Sequence, residues 1–321
     1  MTDDDERLAA FLTLRDWFRH AVSRFGEARL VFGHGTTNAV DEAAFIVLEA
    51  LHLPIDALEP FIDAKVTLAE RRRLAKLIDA RVSTRKPAAY LLGRAYIQGV
   101  PFYVDETTIV PRSFLGELLH GGLAGEGGLI ESPDEIGSVL DLCTGGGSLA
   151  ILAARTFEAA KVDAVELSAP ALAVARRNVA EHDLEGRVTL LEGDLFSPVK
   201  GRRYALILSN PPYVETAVVD AFPPEFAAEP RMAHEAGADG LDLVRRILAG
   251  AGEHLEPDGL LVCEVGRGRE RLEAAFPDLP FLWLDTQESE GEVFALRAED
   301  LAQAALSAPK AKRPARKRAS G

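Results

Sequence analysis

The residues with the clearest potential for chemistry are Asn210, Pro211, Pro212 and Tyr213, which follow the apolar run 204–209. The run is typical of a buried strand, and because the two prolines end it at once, the four residues are predicted at the strand's carboxyl end. The side-chain oxygen of Asn210 and the carbonyl of Pro211 suit the two N–H groups of one planar NH2 group, with the Tyr213 ring beside it. A simple turn explains the prolines alone, whereas asparagine before Pro-Pro-Tyr favours a site for a carboxamide or an exocyclic base amine.

A glycine-rich turn is the second candidate, at residues 141–148, which read Asp-Leu-Cys-Thr-Gly-Gly-Gly-Ser between a predicted strand and a predicted helix. Three glycines let the backbone approach a ligand closely, and the helix N-terminus behind them offers free N–H groups. The run is neither G-x-G-x-x-G nor a phosphate loop with its Lys-Ser/Thr ending, so a dinucleotide or a triphosphate is poorly supported. Taken alone, the run is explained equally well as a structural turn.

Two carboxylates follow the next two predicted strands. Glu166 lies 19 residues after Gly147, close to the roughly 20 residues typical of a carboxylate that binds ribose hydroxyls. The alternative role for Glu166 is to stabilise the start of the next helix. Asp194 suits an adenine amine while Leu195 packs against the base, or Asp194 is an ordinary loop acid. Because parallel strands present their carboxyl ends at one edge of the sheet, the order of all four features is more specific than any one of them.

From residue 138 onward strands and helices alternate, which predicts a parallel, doubly wound α/β sheet. The predicted strands are 139–143, 161–167, 188–192, 204–209, 260–265, 281–285 and 292–297. The predicted helices are 148–156, 169–181, 240–253 and 269–276. Ahead of the sheet, apolar periodicity predicts a small bundle with helices at 8–25, 41–51 and from a capping box at 67–70, followed by a hairpin at 95–110.

Composition limits the class of protein. The chain has 321 residues, 47% of them hydrophobic and only two of them cysteine, which suits a two-domain protein of a reducing cytoplasm. The acidic start lacks the order of a signal peptide, and no apolar run reaches the roughly 18 residues needed to span a membrane, so we expect neither a leader nor a membrane span. Removing the six basic residues of 310–318 from the 36 in the chain leaves 30 against 50 acidic residues, a net charge of −20. Such a body repels DNA and favours a basic protein as the partner.

The order of the candidate residues resembles the S-adenosylmethionine-dependent methyltransferases with a Rossmann-like, seven-stranded sheet, and residues 210–213 resemble the Asn-Pro-Pro-Tyr motif of their protein glutamine methyltransferases. Residues 33–43, 110–118, 229–230 and 239–248 are similar to the PrmB-type enzymes, which methylate a glutamine of a large-subunit ribosomal protein. The likeness covers nearly everything before the basic tail. The sibling release-factor glutamine methyltransferases usually have Pro-Arg-Pro where this chain has Pro-Arg-Ser, which favours the ribosomal-protein branch.

The resemblance implies a set of site residues. Asn210, Pro211, Pro212 and Tyr213 would be catalytic, and no metal would be needed. Asp141 would help to hold the methionine amino group of the cofactor. The residues that would bind S-adenosylmethionine are Asp141, Cys143, Thr144, Gly145, Gly146, Gly147, Glu166, Asp194 and Leu195. Both cysteines are interpreted as strand residues.

The resemblance also implies a domain organisation. We expect a helical substrate-recognition domain at 1–94, a hairpin linker at 95–118, the methyltransferase domain at 119–300 and a basic, disordered tail at 301–321. The tail either contacts ribosomal RNA weakly or is solvated. The Glu229-Pro230 segment either lines the substrate entrance or is a rigid loop corner, and His34 either contacts substrate or supports a turn.

Three alternatives stay open at this point. A nucleic-acid base amine methyltransferase would use the same Asn-Pro-Pro-Tyr corner, although the acidic body argues against it. A ribosome assembly factor would keep the fold and bind the ribosomal protein without catalysis. A nicotinamide dehydrogenase is the weakest alternative, because the dinucleotide fingerprint is missing.

Overall fold

The computed structural model describes residues 3–125 and 127–307. The strands are β1 (Ala95–Ile97), β2 (Val100–Phe102), β3 (Ser138–Leu142), β4 (Lys161–Glu166), β5 (Val188–Glu192), β6 (Tyr204–Ser209), β7 (Leu255–Glu264), β8 (Leu282–Leu284) and β9 (Val293–Arg297). The helices are α1 (Asp3–Ala10), α2 (Leu14–Glu27), α3 (Ala39–Ala50), α4 (Leu68–Thr84), α5 (Ala88–Leu92), α6 (Phe114–Glu117), α7 (Ser148–Thr156), α8 (Ala169–Glu181), α9 (Thr216–Val219), α10 (Pro224–Ala227), α11 (Asp242–His254), α12 (Arg269–Ala275) and α13 (Ala298–Ser307).

Seven strands form one sheet in the order β5-β4-β3-β6-β7-β9-β8. The first five of these are parallel, and β9 pairs antiparallel with both β7 and β8. The strand order therefore confirms the predicted Rossmann-like, seven-stranded sheet. Strand β7 is longer than predicted, because it begins at Leu255 rather than at residue 260.

The central strands are apolar on both faces, so each face builds its own core. In β6, Leu206 and Leu208 belong to one core and Ile207 to the other, as the two-residue period of a strand requires. Helix α7 contributes Ile151 to the first core, and α11 contributes Ile247 to the second. All five side chains are fully buried. Helices packed on both faces of the sheet thus hold in place the strand ends that carry the candidate site.

The strand order reverses between β3 and β6. Strands β4 and β5 lie on one side of β3, whereas β6 and β7 lie on the other. Leu142 at the end of β3 pairs with Ser209 at the end of β6. The glycine turn and Asn210 therefore leave the sheet from adjacent strands at its topological switch point, which is where open α/β sheets bind their ligands.

The helical region ahead of the sheet differs from the prediction at one point. The predicted helix at 8–25 is two helices, α1 and α2, because Thr13 caps α2 through a reciprocal pair of hydrogen bonds with Asp16. The predicted capping box of Thr67 and Glu70 does open α4. The apolar faces of α2, α3 and α4 meet in a separate core, which includes Trp17, Ile46 and Leu74 among others.

Two predictions from the sequence are wrong, namely the extent of the hairpin and the residue at which the expected disordered tail begins. The hairpin turns at Gln98 and Gly99, and pairing stops at Phe102, so residues 103–110 are not strand. The tail, expected to be disordered from residue 301, is helical through Ser307. The six basic residues of the tail, at 310–318, lie outside the described residues. Within the described residues, none of the helices combines the length and the apolar character that crossing a membrane requires.

Candidate active site

The glycine turn holds a strained backbone next to open space. Cys143 and Gly145 have positive φ angles of 60° and 56°, so Cys143 has left the strand in which it was predicted. A Cβ atom at Gly145 would meet no atom within 4 Å. The Gly145 N–H donates to Glu166 Oε2 at 2.9 Å, which ties the turn to the end of β4. The turn thus presents bare backbone to a space that a ligand can fill.

A cavity of about 390 Å³, which we call the glycine-turn cavity, lies at this edge of the sheet. Its volume falls within the roughly 300–1,000 Å³ typical of small-molecule sites. The predicted site residues that line it are Cys143, Gly145, Glu166, Asp194, Leu195, Asn210 and Pro212. Residues from the ends of four strands therefore share one cavity, as their order in the sequence predicted.

The two carboxylates of this cavity have different surroundings. Glu166 is 9% exposed, and its Oε1 accepts from the backbone N–H of Ser168 at 2.8 Å in addition to the bond from Gly145. A carboxylate has about four lone-pair sites, so Glu166 keeps acceptor capacity toward the cavity. Asp194 is exposed, and its Oδ2 accepts from Arg246 at 2.6 Å. Leu195, beside it, is buried and has a positive φ of 46°.

Four of the predicted cofactor residues do not line the cavity: Asp141, Thr144, Gly146 and Gly147. Asp141 is fully buried behind the turn, where its Oδ2 accepts from the Thr144 hydroxyl. Gly146 accepts through its carbonyl from Asn178 of α8 at 2.8 Å. These residues face the packed side of the turn, which a strand-and-turn pattern does not reveal. Their contact with the cofactor stays a prediction from the sequence.

Asp141 nevertheless keeps an unused acceptor. Its Oδ1 has no hydrogen-bond partner among the described residues, and burial raises the pKa of its carboxyl to about 7. An orphaned carboxylate oxygen in the interior costs free energy unless a donor reaches it.

The Asn-Pro-Pro-Tyr corner forms the wall between two cavities. Asn210 and Pro212 line the glycine-turn cavity, and all four corner residues line a second cavity of about 640 Å³, the corner cavity. The Asn210 side chain donates from Nδ2 to the backbone carbonyl of Arg112 at 3.3 Å. Oδ1 is the acceptor atom of this amide, so it is the atom that can accept a hydrogen bond from a ligand.

Tyr213 is held in place by its surroundings. Its hydroxyl donates to Glu264 Oε1 at 3.0 Å, and burial raises the pKa of the phenol well above its usual value. Its ring lies against the backbone of Gly266, where an added Cβ would come within 2.6 Å of the Tyr213 Cε2 atom. Tyr213 is therefore a fixed, protonated wall of the corner cavity.

The residues that support the corner are not apparent from the sequence. Glu229 accepts two hydrogen bonds from the Arg112 guanidinium, both at 2.7 Å, and one from the Val110 N–H at 2.8 Å. Burial opposes ionisation of Glu229, but its interactions with Arg112 and His234 outweigh that effect and hold the pKa of the carboxyl far below its usual range. The Glu229-Pro230 pair was noted, yet nothing in the sequence reveals its partners.

The sequence left open the roles of the Glu229-Pro230 segment and of His34, and the structure bears on both. Glu229 is buried and lines neither cavity, whereas Pro230 lines the glycine-turn cavity. His34 is 3% exposed, packs its ring 4.3 Å from that of Phe226 and places Nε2 at 3.5 Å from Glu229 Oε2. His34 thus packs against Phe226 and Glu229 in the interior rather than offering a surface for substrate.

The side chains and the open backbone of the glycine-turn cavity fit S-adenosylmethionine. Glu166 suits ribose hydroxyls, Asp194 and Leu195 suit an adenine, and the bare backbone at Gly145 leaves the room that a close ligand needs. Residues 129–224 match the family model described as "Methyltransferase small domain". The seven-stranded sheet, the cavity at its switch point and the match to the family model together define the chain as a Rossmann-like methyltransferase. It uses S-adenosylmethionine as its methyl donor.

Similar proteins narrow the class further. A protein of Bradyrhizobium diazoefficiens named "Ribosomal protein uL3 glutamine methyltransferase" is 59% identical over 293 residues, which cover 90% of this chain and 92% of that protein. Proteins of the same name from Bordetella pertussis and Burkholderia pseudomallei are 52% and 49% identical, over 90% and 91% of this chain and 96% of each relative. The chain belongs to this family of glutamine methyltransferases.

Proposed function

We propose that the enzyme transfers the methyl group of S-adenosylmethionine to the side-chain amide nitrogen of a glutamine in ribosomal protein uL3. The observation that carries the proposal is the position of Asn210. It lies in the wall shared by the glycine-turn cavity and the corner cavity, with its donor group bound to Arg112. A methyl donor on one side and an acceptor amide on the other would meet at this residue.

The chemistry requires an unusual degree of positioning. An amide nitrogen is a poor nucleophile, because its lone pair is delocalised into the carbonyl group. Bound S-adenosylmethionine supplies an electrophilic methyl group on a positively charged sulfur. The Asn210 Oδ1 and the Pro211 carbonyl would accept the two N–H groups of the glutamine amide, raise the electron density on its nitrogen and aim it toward the methyl group.

The proton balance of this reaction needs no base in the protein. Nitrogen forms a bond to the methyl carbon as the carbon–sulfur bond breaks, and S-adenosylhomocysteine leaves. The N-methylated, N-protonated amide is strongly acidic and releases its proton to water. Pro212 and Tyr213 would form the slot that holds the amide plane during this step.

The choice of uL3 is supported by the names of three relatives at 49–59% identity. The net charge of −20 outside the basic tail also favours a basic protein over DNA. A release factor and a nucleic-acid base amine are the other enzymatic candidates from the sequence, and a non-catalytic assembly factor is the remaining one. Each predicts a different result in one assay.

The test is methyl transfer from S-adenosylmethionine carrying a labelled methyl group to purified uL3, a release factor, DNA and RNA in parallel. We expect label on uL3 alone, and peptide mapping should place a single added methyl group on a glutamine. Asn210→Ala is the matched control and should transfer no label while still binding S-adenosylhomocysteine. Label on the release factor or the nucleic acids would contradict the choice of substrate, and no transfer at all would favour the assembly factor.

The basic tail, a cytoplasmic location and the domain boundaries at 94, 118 and 300 stay predictions from the sequence. If the tail contacts ribosomal RNA, removing residues 308–321 should weaken RNA binding in a salt-dependent way. The same deletion should leave methyl transfer to free uL3 unchanged, because the site is built from residues before the tail.

A further inference from the structure

Glu264 occupies a position level with Asn210 at the edge of the sheet. Cys263 of β7 pairs in parallel with Ser209 of β6, so Glu264 follows its strand partner just as Asn210 follows Ser209. Glu264 is 2% exposed and is the last residue of β7. The sequence alone indicates no role for Glu264, because the residue lies inside a run that is typical of an ordinary buried strand.

The hydrogen bonds of Glu264 join two parts of the site. Its Oε1 accepts from the Tyr213 hydroxyl at 3.0 Å. Its Oε2 accepts from the Ser113 hydroxyl at 2.6 Å and from the Phe114 N–H at 3.0 Å. One carboxyl group thus connects the Asn-Pro-Pro-Tyr corner to the segment that follows Arg112, the residue whose carbonyl binds Asn210.

Packing alone does not explain a carboxyl group at position 264. All the hydrogen-bond donors that the described residues offer to Glu264 are neutral groups. Burying a carboxyl group without a cation is costly, and an apolar side chain of similar size avoids that cost. A buried carboxyl in this setting gives the fold a fixed orientation of the groups it binds rather than additional stability.

On the side of the corner, Glu264 binds Tyr213, and the Tyr213 side chain lines two neighbouring cavities. Tyr213 lines the corner cavity and also a neighbouring cavity of about 470 Å³, the linker cavity, to which Ser113 and Glu264 contribute. On its other side the ring is stopped by Gly266. The hydroxyl bond on one side and this backbone on the other restrict the Tyr213 ring, which lines the corner cavity together with Asn210.

We propose that Glu264 is a positioning residue of the methyl-transfer reaction, which acts by fixing the Tyr213 ring against the acceptor amide. The inference rests on the proposed function of the corner. Glu264 touches neither the methyl donor nor the glutamine in this role. Its loss should therefore lower kcat through Tyr213 and leave the binding of S-adenosylhomocysteine unchanged.

The experiment is a double-mutant cycle on kcat for uL3, with Glu264→Gln, Tyr213→Phe and the combination. Glutamine keeps the size of the side chain, and its oxygen can still accept from Ser113 and Phe114. Its NH2 group replaces the acceptor that faces Tyr213, so the Tyr213 hydroxyl can no longer donate there and must turn to accept. Each single variant should lose about tenfold in kcat, as expected for the loss of one hydrogen bond. If Glu264 acts through Tyr213, the double variant should also lose about tenfold rather than about 100-fold, since residues that act as one unit are not additive.

Ser113→Ala is the matched control on the other arm of Glu264. It removes a donor of similar geometry but leaves the Tyr213 bond in place, so its smaller effect on kcat should add to that of Tyr213→Phe. The proposal is overturned if the losses in kcat of Glu264→Gln and Tyr213→Phe multiply in the double variant. It is also overturned if the Tyr213→Phe variant has wild-type kcat. The second result remains decisive even if Glu264→Gln fails to fold.

The wild-type enzyme in the same assay separates this inference from the proposed function. If the wild type transfers no methyl group to uL3, the proposed function fails and the cycle is read on whichever substrate the enzyme does methylate. If the wild type is active on uL3 and the cycle is additive, only the role of Glu264 fails. Binding of S-adenosylhomocysteine by calorimetry should be the same for all four proteins.

Discussion

The side-chain Nδ2 of Asn210 donates to the backbone carbonyl of Arg112 at 3.3 Å, across 98 residues of sequence. This bond ties the Nδ2 end of the Asn210 amide to a segment outside the sheet. Arg112 is in turn fixed by Glu229, so the direction of the Asn210 side chain depends on a segment that precedes the whole sheet. The acceptor site is therefore made by two distant parts of the chain.

The first prediction concerns Asn210→Asp. Aspartate supplies acceptor oxygens as good as that of asparagine, but it has no donor for the Arg112 carbonyl, so one carboxylate oxygen would face another acceptor. We expect kcat to fall by about 10²–10³-fold, as for loss of a preorganised polar group in other active sites. The measurement is methyl transfer to uL3, with S-adenosylhomocysteine affinity as the control. An aspartate variant with wild-type kcat would show that the donor bond to Arg112 has no role.

The second prediction separates backbone strain from ligand contact in the glycine turn. Gly145 has a φ of 56° and faces the glycine-turn cavity, and Gly201 has a φ of 77° in a surface turn with nothing within 4 Å of an added Cβ. Alanine at either position should cost about 1–2 kcal/mol in stability, because a left-handed conformation is strained for any residue with a Cβ. Only Gly145→Ala should also abolish S-adenosylhomocysteine binding, measured by calorimetry.

The third prediction is a pH dependence of stability due to Glu264. Burial raises the pKa of its carboxyl from 4.5 to about 7. The folded state therefore holds the proton more tightly than the unfolded chain, and ionisation opposes folding. Stability from this group should be greatest below pH 4.5 and should fall by up to about 3 kcal/mol as the pH rises to 7, at 1.36 kcal/mol per pKa unit.

Denaturant unfolding at pH 5 and pH 8 tests this dependence. Glu264→Gln should lose less stability between the two pH values than the wild type does. The pKa of Asp141 is also raised to about 7, but Asp141 is present in both proteins and cancels in the comparison. Equal losses in the two proteins would mean that Glu264 does not titrate in this range.

Local signals explain which parts of the fold were predicted correctly. The bounds 148–156, 169–181, 188–192 and 204–209 agree with the structure, because prolines, helix caps and strand alternation act within a few residues. The break at Thr13 was equally local, yet the apolar period runs through it and suggested one helix. The helix through Ser307 lies where composition alone had indicated disorder.

The site was predictable only in its outline. The order of the strand ends brought Gly145, Glu166 and Asn210 to one cavity, since parallel strands end at one edge. The supporting bonds were not predictable, because Arg112 and Glu229 are 117 residues apart and Ser113 and Glu264 are 151 residues apart. A single sequence carries no signal for such pairs.

The last prediction concerns the ion pair that orients the segment behind Asn210. The Glu229 side chain is fully buried, and its contacts with Arg112 and His234 lower its pKa, so its contribution to stability is present above pH 4.5 and is lost as the pH falls below that value. Glu229→Gln should destabilise the protein by about 3–5 kcal/mol at pH 7, because it leaves Arg112 without its counter-charge. The matched control is Glu235→Gln, which removes a half-buried partner of the exposed Arg231 and should change stability far less. Urea unfolding at pH 7 and pH 4 measures both effects. If the two variants lose the same stability at pH 7, the Glu229 pair does not hold the segment, and the orientation of Asn210 must be set by another contact.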